Sequence, residues 1–354
     1  MHLTILFDMD DTLLSNQVEV FIPAYVKSLS GFITHVPPEK LTSALLQASR
    51  QMVKKSQPAF TLEETFDSYF YPLIGFEKNQ IIDWLDDFYR IEFPKLKPLT
   101  QPIPGVFEIV NTLINAGHQI VIATNPLFPA TAIHQRLDWA GLNDLKKHFS
   151  LITTYETFHF SKPHPEFLTE ILALLGWPDQ PAILIGNSME DDILPAEQIG
   201  LPTFHITDKD ETRPIKNFHP LSSYGKHARL LEWIEQCSLY FSNHSFALDT
   251  AGLIHGLKAT PLVFDTIIHH RLDDRSGNHP AEYLQEILNN DLSILNQSPV
   301  NNSSEISLSD SYDILLNNRL KLIEQIKNDK QQQLNPVKIF ESDKKIIRSF
   351  LENQ

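Results

Sequence analysis

The chain opens on a short apolar run, Leu3-Thr4-Ile5-Leu6-Phe7, that stops abruptly at Asp8-Met9-Asp10-Asp11-Thr12. A run rich in strand formers that does not alternate with polar residues is a strand buried on both faces, as in a parallel sheet. In such sheets ligands bind beyond the carboxyl ends of the strands, where the acidic residues fall. Residues 118–123 repeat the pattern and end at Thr124-Asn125, and residues 182–185 end at Gly186-Asn187-Ser188. A weaker run at residues 149–152 precedes Lys162, and residues 203–206 read as an edge strand.

Helical patterns lie between these runs. Pro104-Gly105 opens one that carries Val106, Ile109, Val110, Leu113 and Ile114 before Gly117 stops it. Residues 165–175 form another, and residues 193–199, closed by Gly200, a third. Strands alternating with helices imply an α/β, Rossmann-like parallel sheet with helices on both faces. Residues 15–99 contain no competing strand-like run. They are helical in pattern and rich in aromatics such as Phe21, Tyr25, Phe66, Tyr69, Phe70 and Tyr71. That stretch reads as a helical insertion over the active edge of the sheet, with residues 1–14 and 100–238 as the catalytic core.

The acidic cluster after the first strand carries the chemistry. Asp8 and Asp10 converge if the chain leaves the sheet in a tight turn. A carboxylate is a competent nucleophile at phosphorus, and an aspartyl-phosphate splits one hard displacement into two easier ones. A second carboxylate can protonate the leaving alkoxide and then deprotonate the attacking water. Two anions facing a phosphate dianion repel it, so a divalent cation is required, and Mg²⁺ suits oxygen ligands.

With these motifs in order, residues 3–238 resemble the haloacid dehalogenase-like (HAD-like) hydrolase superfamily with a type-1 helical cap. Asp8-x-Asp10-x-Thr12 resembles its first motif, which implies Asp8 as nucleophile and Asp10 as general acid/base. Thr124-Asn125 resembles the second, which binds phosphoryl oxygens together with Thr12. Lys162, in Ser161-Lys162-Pro163-His164-Pro165, resembles the third, a cation for the nucleophile and phosphate. The stretch from Gly186 to Ile193 resembles the acidic metal loop. The resemblance implies Asp8, Asp10, Asn187 and Asp192 as metal ligands, with Asp191 adjacent. Asn187 stands where the family usually has aspartate, so a functional but weaker metal site is expected. The family's dehalogenases lack the second carboxylate of the first motif, and Asp10 therefore favours phosphoryl chemistry. The insertion at residues 15–99 falls at the type-1 cap position, which favours small, soluble phosphorylated metabolites. Arg50, Lys54 and Lys55 in that insertion read as a solvated helix face.

Three functions follow from this reading. The first is an Mg²⁺-dependent phosphatase on phosphomonoesters of small metabolites. The alternatives are a phosphotransferase or phosphomutase on sugar phosphates, and a catalytically silent phosphometabolite-binding protein. Formal net charge is -15, with 29 Lys and Arg against 44 Asp and Glu. That balance excludes nucleic acid and anionic membrane as main partners. Cys237 is the single cysteine, so no intrachain disulfide is available and a reducing compartment fits. No apolar run is long enough to span a bilayer, and a cytoplasmic protein is expected.

Residues 250–354 fall outside the hydrolase resemblance and read as an all-α segment. Thr260-Pro261 has the form of an N-cap with proline at the first helical position, opening a helix to about Leu272. Asn278-His279-Pro280 opens a second, residues 297–311 form an Asn/Ser-rich linker, and Tyr312, Leu315, Leu316, Leu320 and Ile323 line a third. A fourth stripe begins at Ile346, with too few apolar residues to dock firmly. The segment shares a fainter resemblance with DinB-like four-helix bundles, in which histidines on the second and last helices bind a divalent metal. Asn290 stands where the first such histidine would be, so no metal site is expected there. An incomplete bundle, a docking module or self-association through these helices is the expected role.

Overall fold

The structure is a computed structural model. It describes residues 1–55, 58–208, 213–214, 217–270, 280–295, 308–329 and 334–352. The chain divides into two compact units, one of residues 1–164, 180–197 and 201–246, the other of residues 165–179, 198–200 and 247–354.

The first unit begins with β1 (Thr4–Phe7), every residue of which is buried. The short strand β2 (Leu14–Asn16) follows, and then helices α1 (Val18–Phe32), α2 (Pro38–Lys54), α3 (Leu62–Ile74) and α4 (Lys78–Asp87). A π-helical turn (Phe88–Glu92) and a 3₁₀ segment (Phe93–Leu99) lead to β3 (Thr100–Pro102). β2 and β3 pair antiparallel, so the chain enters and leaves the helical insertion through one small two-stranded sheet that the sequence reading did not foresee. Strands of three residues are too short for a hydrophobic period to be visible. Within the insertion, Thr61 and Glu64 form a reciprocal capping box at the start of α3, and Gly75 closes that helix with φ 80°. Phe21, Tyr25, Phe70, Tyr71, Phe88 and Phe93 are buried in the insertion's core, whereas Tyr69 is exposed. Tyr25 meets Phe88, Phe93 and Phe128 edge-on, with ring centroids 5.2–6.1 Å apart.

After β3 come α5 (Val106–Asn115), β4 (Gln119–Ile122), α6 (Ala130–Trp139) and β5 (Phe149–Ile152). The amphipathic stripe read for α5 is buried at Val106, Ile109, Val110 and Leu113. α7 (Pro165–Leu174) belongs to the second unit. The first unit resumes with β6 (Ala182–Gly186), a π-helical turn (Met189–Ile193), α8 (Leu194–Gln198), β7 (Thr203–Ile206), β8 (Arg213–Pro214), β9 (Ser223–Gly225) and α9 (Leu230–Phe241). Six strands run parallel in the order β5-β4-β1-β6-β7-β9, and β8 pairs antiparallel at the end. β1 therefore sits between β4 and β6, which brings the polar ends of all three strands together. β7 is an interior strand, contrary to the edge expected for it, because β9 pairs beyond it. The helix expected at residues 193–199 is split between the π-helical turn and α8. Cys237 is buried in α9, and burial pushes its thiol up to about 12, a packing role as expected.

In the second unit α7 packs on α10 (Thr250–His270), which also contacts α12 (Leu308–Asn328) and α13 (Pro336–Glu352); α11 (Pro280–Ile294) packs on α12 and α13. Thr260-Pro261 does not start a helix; α10 continues through Pro261. Proline removes the N–H that would bond the carbonyl of Leu257. That carbonyl instead accepts from Nη1 of the buried Arg319 at 3.5 Å, and the Thr260 hydroxyl donates back to Gly256 O. A tertiary partner thus satisfies what the local rule leaves open. α12 begins at Leu308, inside the stretch read as linker; residues 297–307 and His279 lie outside the described residues. α13 begins at Pro336 rather than near Ile346, so Ile339 and Phe340 join Ile346, Ile347 and Phe350 in its buried face. Asn290 donates to the Ser342 hydroxyl at 3.4 Å.

Candidate active site

The turn after β1 is set by backbone geometry. Asp8 N–H donates to Ile185 O at 2.9 Å, which registers Asp8 against β6. Met9 O then accepts from Leu13 and Leu14 N–H, and Asp11 takes the left-handed conformation at φ 53°. Aspartate tolerates that region because its short side chain bonds locally, here accepting from Asn16 N–H at 2.8 Å. The tight turn lets Asp8 and Asp10, two residues apart, line one cavity of about 260 Å³.

Lys162 reaches this cavity from the loop after β5. Its Nζ lies 2.5 Å from Asp8 Oδ1 and 2.6 Å from Asp192 Oδ1, and all three side chains are buried. Burial, and next the charge of Asp192, push the Asp8 carboxyl up to about 6, against the pull of Lys162. Burial would lower the Lys162 ammonium, but the two carboxylates outweigh it and hold the pKa above its ordinary value. Lys162 is therefore charged throughout the physiological range. Asp192 Oδ2 accepts from Ser188 N–H at 3.0 Å, and Ser188 caps the turn by accepting from Asp191 N–H.

Asp10 is held differently. Its Oδ1 accepts from Asn16 Nδ2 at 2.8 Å and pairs with Arg136, whose side chain is 2% exposed. The Arg136 guanidinium also lies 5.6 Å from the ring centres of Phe21 and Phe128. Burial lowers the Arg136 pKa to about 10, which leaves it charged at neutral pH. Sequence reasoning missed Arg136. Its signal was an arginine inside the apolar stripe of α6, between the buried Ile133 and Leu137.

Asn125, Asn187 and Asp191 also line the cavity, whereas Thr12 and Thr124 are buried behind it. The Thr12 hydroxyl and the Asn125 amide oxygen are buried without protein partners. Thr12 O accepts from His227 Nε2, Thr124 O from the Thr153 hydroxyl, and Asn187 O from His205 Nε2. Lys55, read as solvent-facing, instead donates to His159 O at 3.0 Å and lies over the Phe160 ring.

The residues fit a hard divalent cation. Asp8, Asp10, Asn187, Asp191 and Asp192 all present oxygen donors to one cavity. The cavity gathers five aspartates, Asp8, Asp10, Asp11, Asp191 and Asp192, against Lys162 and Arg136. Among the described residues no three His, Cys, Asp or Glu side chains already converge as a ligand set; Lys162 pairs with Asp8 and Asp192, and Arg136 with Asp10.

A family model described as haloacid dehalogenase-like hydrolase matches residues 5–206. The chain belongs to that family. Among curated relatives of this haloacid dehalogenase-like hydrolase, the phosphoglycolate phosphatase of Mesorhizobium japonicum is 25% identical over 61% of this chain and 87% of its own length. That of Agrobacterium fabrum is 26% identical over 61% and 84%. The glyceraldehyde 3-phosphate phosphatase of Methanocaldococcus jannaschii is 26% identical over 57% and 83%. A solved 2-haloacid dehalogenase from Pseudomonas syringae superposes with a TM-score of 0.48 at 17% identity, covering 67% of this chain and 100% of that one. Among the described residues no helix is long and apolar enough to cross a membrane.

Proposed function

We propose that this hydrolase is a cytoplasmic, Mg²⁺-dependent phosphatase that cleaves phosphomonoesters of small metabolites through an aspartyl-phosphate on Asp8. One observation carries the reading: Asp8 is buried, 2.5 Å from Lys162 Nζ, in the cavity that Asp10 also lines. A bound Mg²⁺, held by Asp8, Asp10, Asn187 and Asp192, supplies charge neutralisation for the phosphoryl oxygens.

The chain's own residues supply the rest. Lys162 orients the Asp8 carboxylate and stabilises negative charge on the phosphoryl group. Asp8 attacks phosphorus as the bond to the leaving oxygen breaks, and Asp10 gives that oxygen a proton. Asp10 then takes a proton from water, which displaces phosphate and restores Asp8. Arg136 and Asn16 hold Asp10 in one rotamer for both transfers. Asn125 binds a phosphoryl oxygen, Thr12 and Thr124 act from behind the cavity by fixing the two strand-end turns, and the helical insertion at residues 15–99 acts as the cap that excludes bulk water.

The test is phosphate release from aryl and metabolite phosphates with and without Mg²⁺, beside Asp8→Asn. Metal-dependent turnover that vanishes in the variant is expected. Binding of phosphate esters without release would overturn the reading in favour of a silent binder. Transfer to sugar acceptors rather than water would favour a phosphotransferase.

A further inference from the structure

A second cavity, of about 290 Å³, lies between the helical insertion and the loops that follow β4 and β5. Ile22, Leu127 and Phe128 line both this cavity and the one holding Asp8, so the two share a wall. Its walls are mainly apolar and rich in rings, with Tyr25, Phe66, Phe70 and Tyr89 from the insertion and Phe128 and Tyr155 from the loops. The charged groups on its walls are Glu63, Asp86 and Glu156, and no lysine, arginine or histidine joins them among the described residues. Glu63 is already paired with Lys78 at 2.8 Å. Among the described residues Glu156 has no ion-pair partner. One of its oxygens accepts from Ala130 N–H and the Thr154 hydroxyl also bonds the carboxylate, while Oε2 is buried with no donor within close hydrogen-bond distance. Buried carboxylate oxygens are normally satisfied, so Oε2 is an acceptor in want of a donor.

We infer that this cavity receives the leaving group of the substrate, and that this group is an aromatic alcohol bearing a hydrogen-bond donor and no anionic substituent. The inference rests on the phosphatase reading above and names its substrate class. An aromatic ring gains from edge and face contacts with the surrounding rings. An amine or hydroxyl on it satisfies Glu156 Oε2. A carboxylate or second phosphate would meet Asp86 and Glu156 with no lysine, arginine or histidine on the described lining to offset them. The substrates named for the phosphoglycolate phosphatase relatives are thus disfavoured here, although the Asp8 machinery would accept their phosphoryl group.

The test compares kcat/KM for tyramine phosphate, phenyl phosphate, phosphoglycolate and pyrophosphate with the full chain and Mg²⁺. Tyramine phosphate should exceed phosphoglycolate by about 100-fold. Leu46→Arg places a cation in the wall at a position 39% exposed, which a folded chain tolerates. It should raise kcat/KM for phosphoglycolate about tenfold and lower that for tyramine phosphate. Independently of turnover, free tyramine should bind the wild-type protein by calorimetry and glycolate should not. Phosphoglycolate or pyrophosphate cleaved as well as tyramine phosphate would overturn the inference while leaving the phosphatase reading intact. Tyramine binding without phosphate release from any ester would support the cavity assignment and sink the phosphatase reading. Neither binding nor release would end both.

Discussion

The carboxylate of Asp192 lies against the backbone of Gly186, its Cγ 2.4 Å from where a Cβ on residue 186 would stand. The end of β6 is therefore bare so that the acid from the following turn can reach Lys162. Gly186→Ala must push Asp192 aside and so loosen the Asp8–Lys162–Asp192 cluster. Phosphatase activity is expected to fall at least about 100-fold, with a stability loss of roughly 1–3 kcal/mol from overpacking. Parallel kinetics and urea unfolding check it, and an active, equally stable variant would show that the turn can relocate Asp192 freely.

Asp8 carries function at a cost to stability. Its carboxyl titrates near 6 in the folded chain, raised first by burial and then by Asp192, against 3.8 for the unperturbed group. The folded state holds on to a proton that the unfolded state has lost, so ionised Asp8 disfavours folding above that range. Asp8→Asn should be inactive yet more stable than wild type at pH 7.5 in chelator, by on the order of 2 kcal/mol. Added Mg²⁺ should narrow the gap by stabilising the wild type. Denaturant titration with and without the metal decides it; a variant less stable in chelator contradicts the charge argument.

Arg136 should control the acid/base step through Asp10. Arg136→Met keeps an apolar stem among Phe21 and Phe128 but removes the ion partner. We expect kcat and kcat/KM to fall together by about 10- to 100-fold. Arg136→Lys should recover little, because an ammonium lacks the planar fork. A change confined to KM would show that Arg136 binds substrate rather than holding Asp10.

The buried Arg319 in the second unit bonds Asp291 Oδ2 at 2.7 Å and also pairs with Asp343. Burial pushes the Asp291 carboxyl up to about 6, only partly offset by Arg319. Its folded pKa lies above the unfolded 3.8, so the favourable contribution is complete below about pH 4 and is lost as pH rises through 6. Asp291→Asn removes that titration. Between pH 4 and pH 7 the variant should gain on wild type by roughly 2–3 kcal/mol in unfolding free energy. A constant difference across that range would mean that Arg319 fully compensates the charge.

Much of the catalytic core was legible because its signals are local. Residues 4–7, 119–122 and 182–186 are continuous apolar runs, and a polar residue at the end of such a run marks the ligand edge of a parallel sheet. That reasoning singled out Asp8, Asp10, Asn125 and Asn187, and the family resemblance added Asp192; all five line one cavity, whereas Thr12 and Thr124, singled out beside them, do not. The misses share a cause. β7 read as an edge strand because β9 is three residues long, and Pro261 read as a helix start because the rescue of Leu257 O comes from Arg319, 62 residues away in sequence.

The sequence by itself determined the alternation of strands and helices and the order of the motif residues, since periodicity and strand ends are properties of neighbouring positions. Only the tertiary structure decided that Arg136 holds Asp10, that Gly186 makes room for Asp192, and that a ring-rich, acid-bearing cavity shares a wall with the one that Asp8 lines. Each of those depends on distances between residues far apart in the chain. Such distances are fixed by packing and by the pairing of buried charges, and no local pattern encodes them.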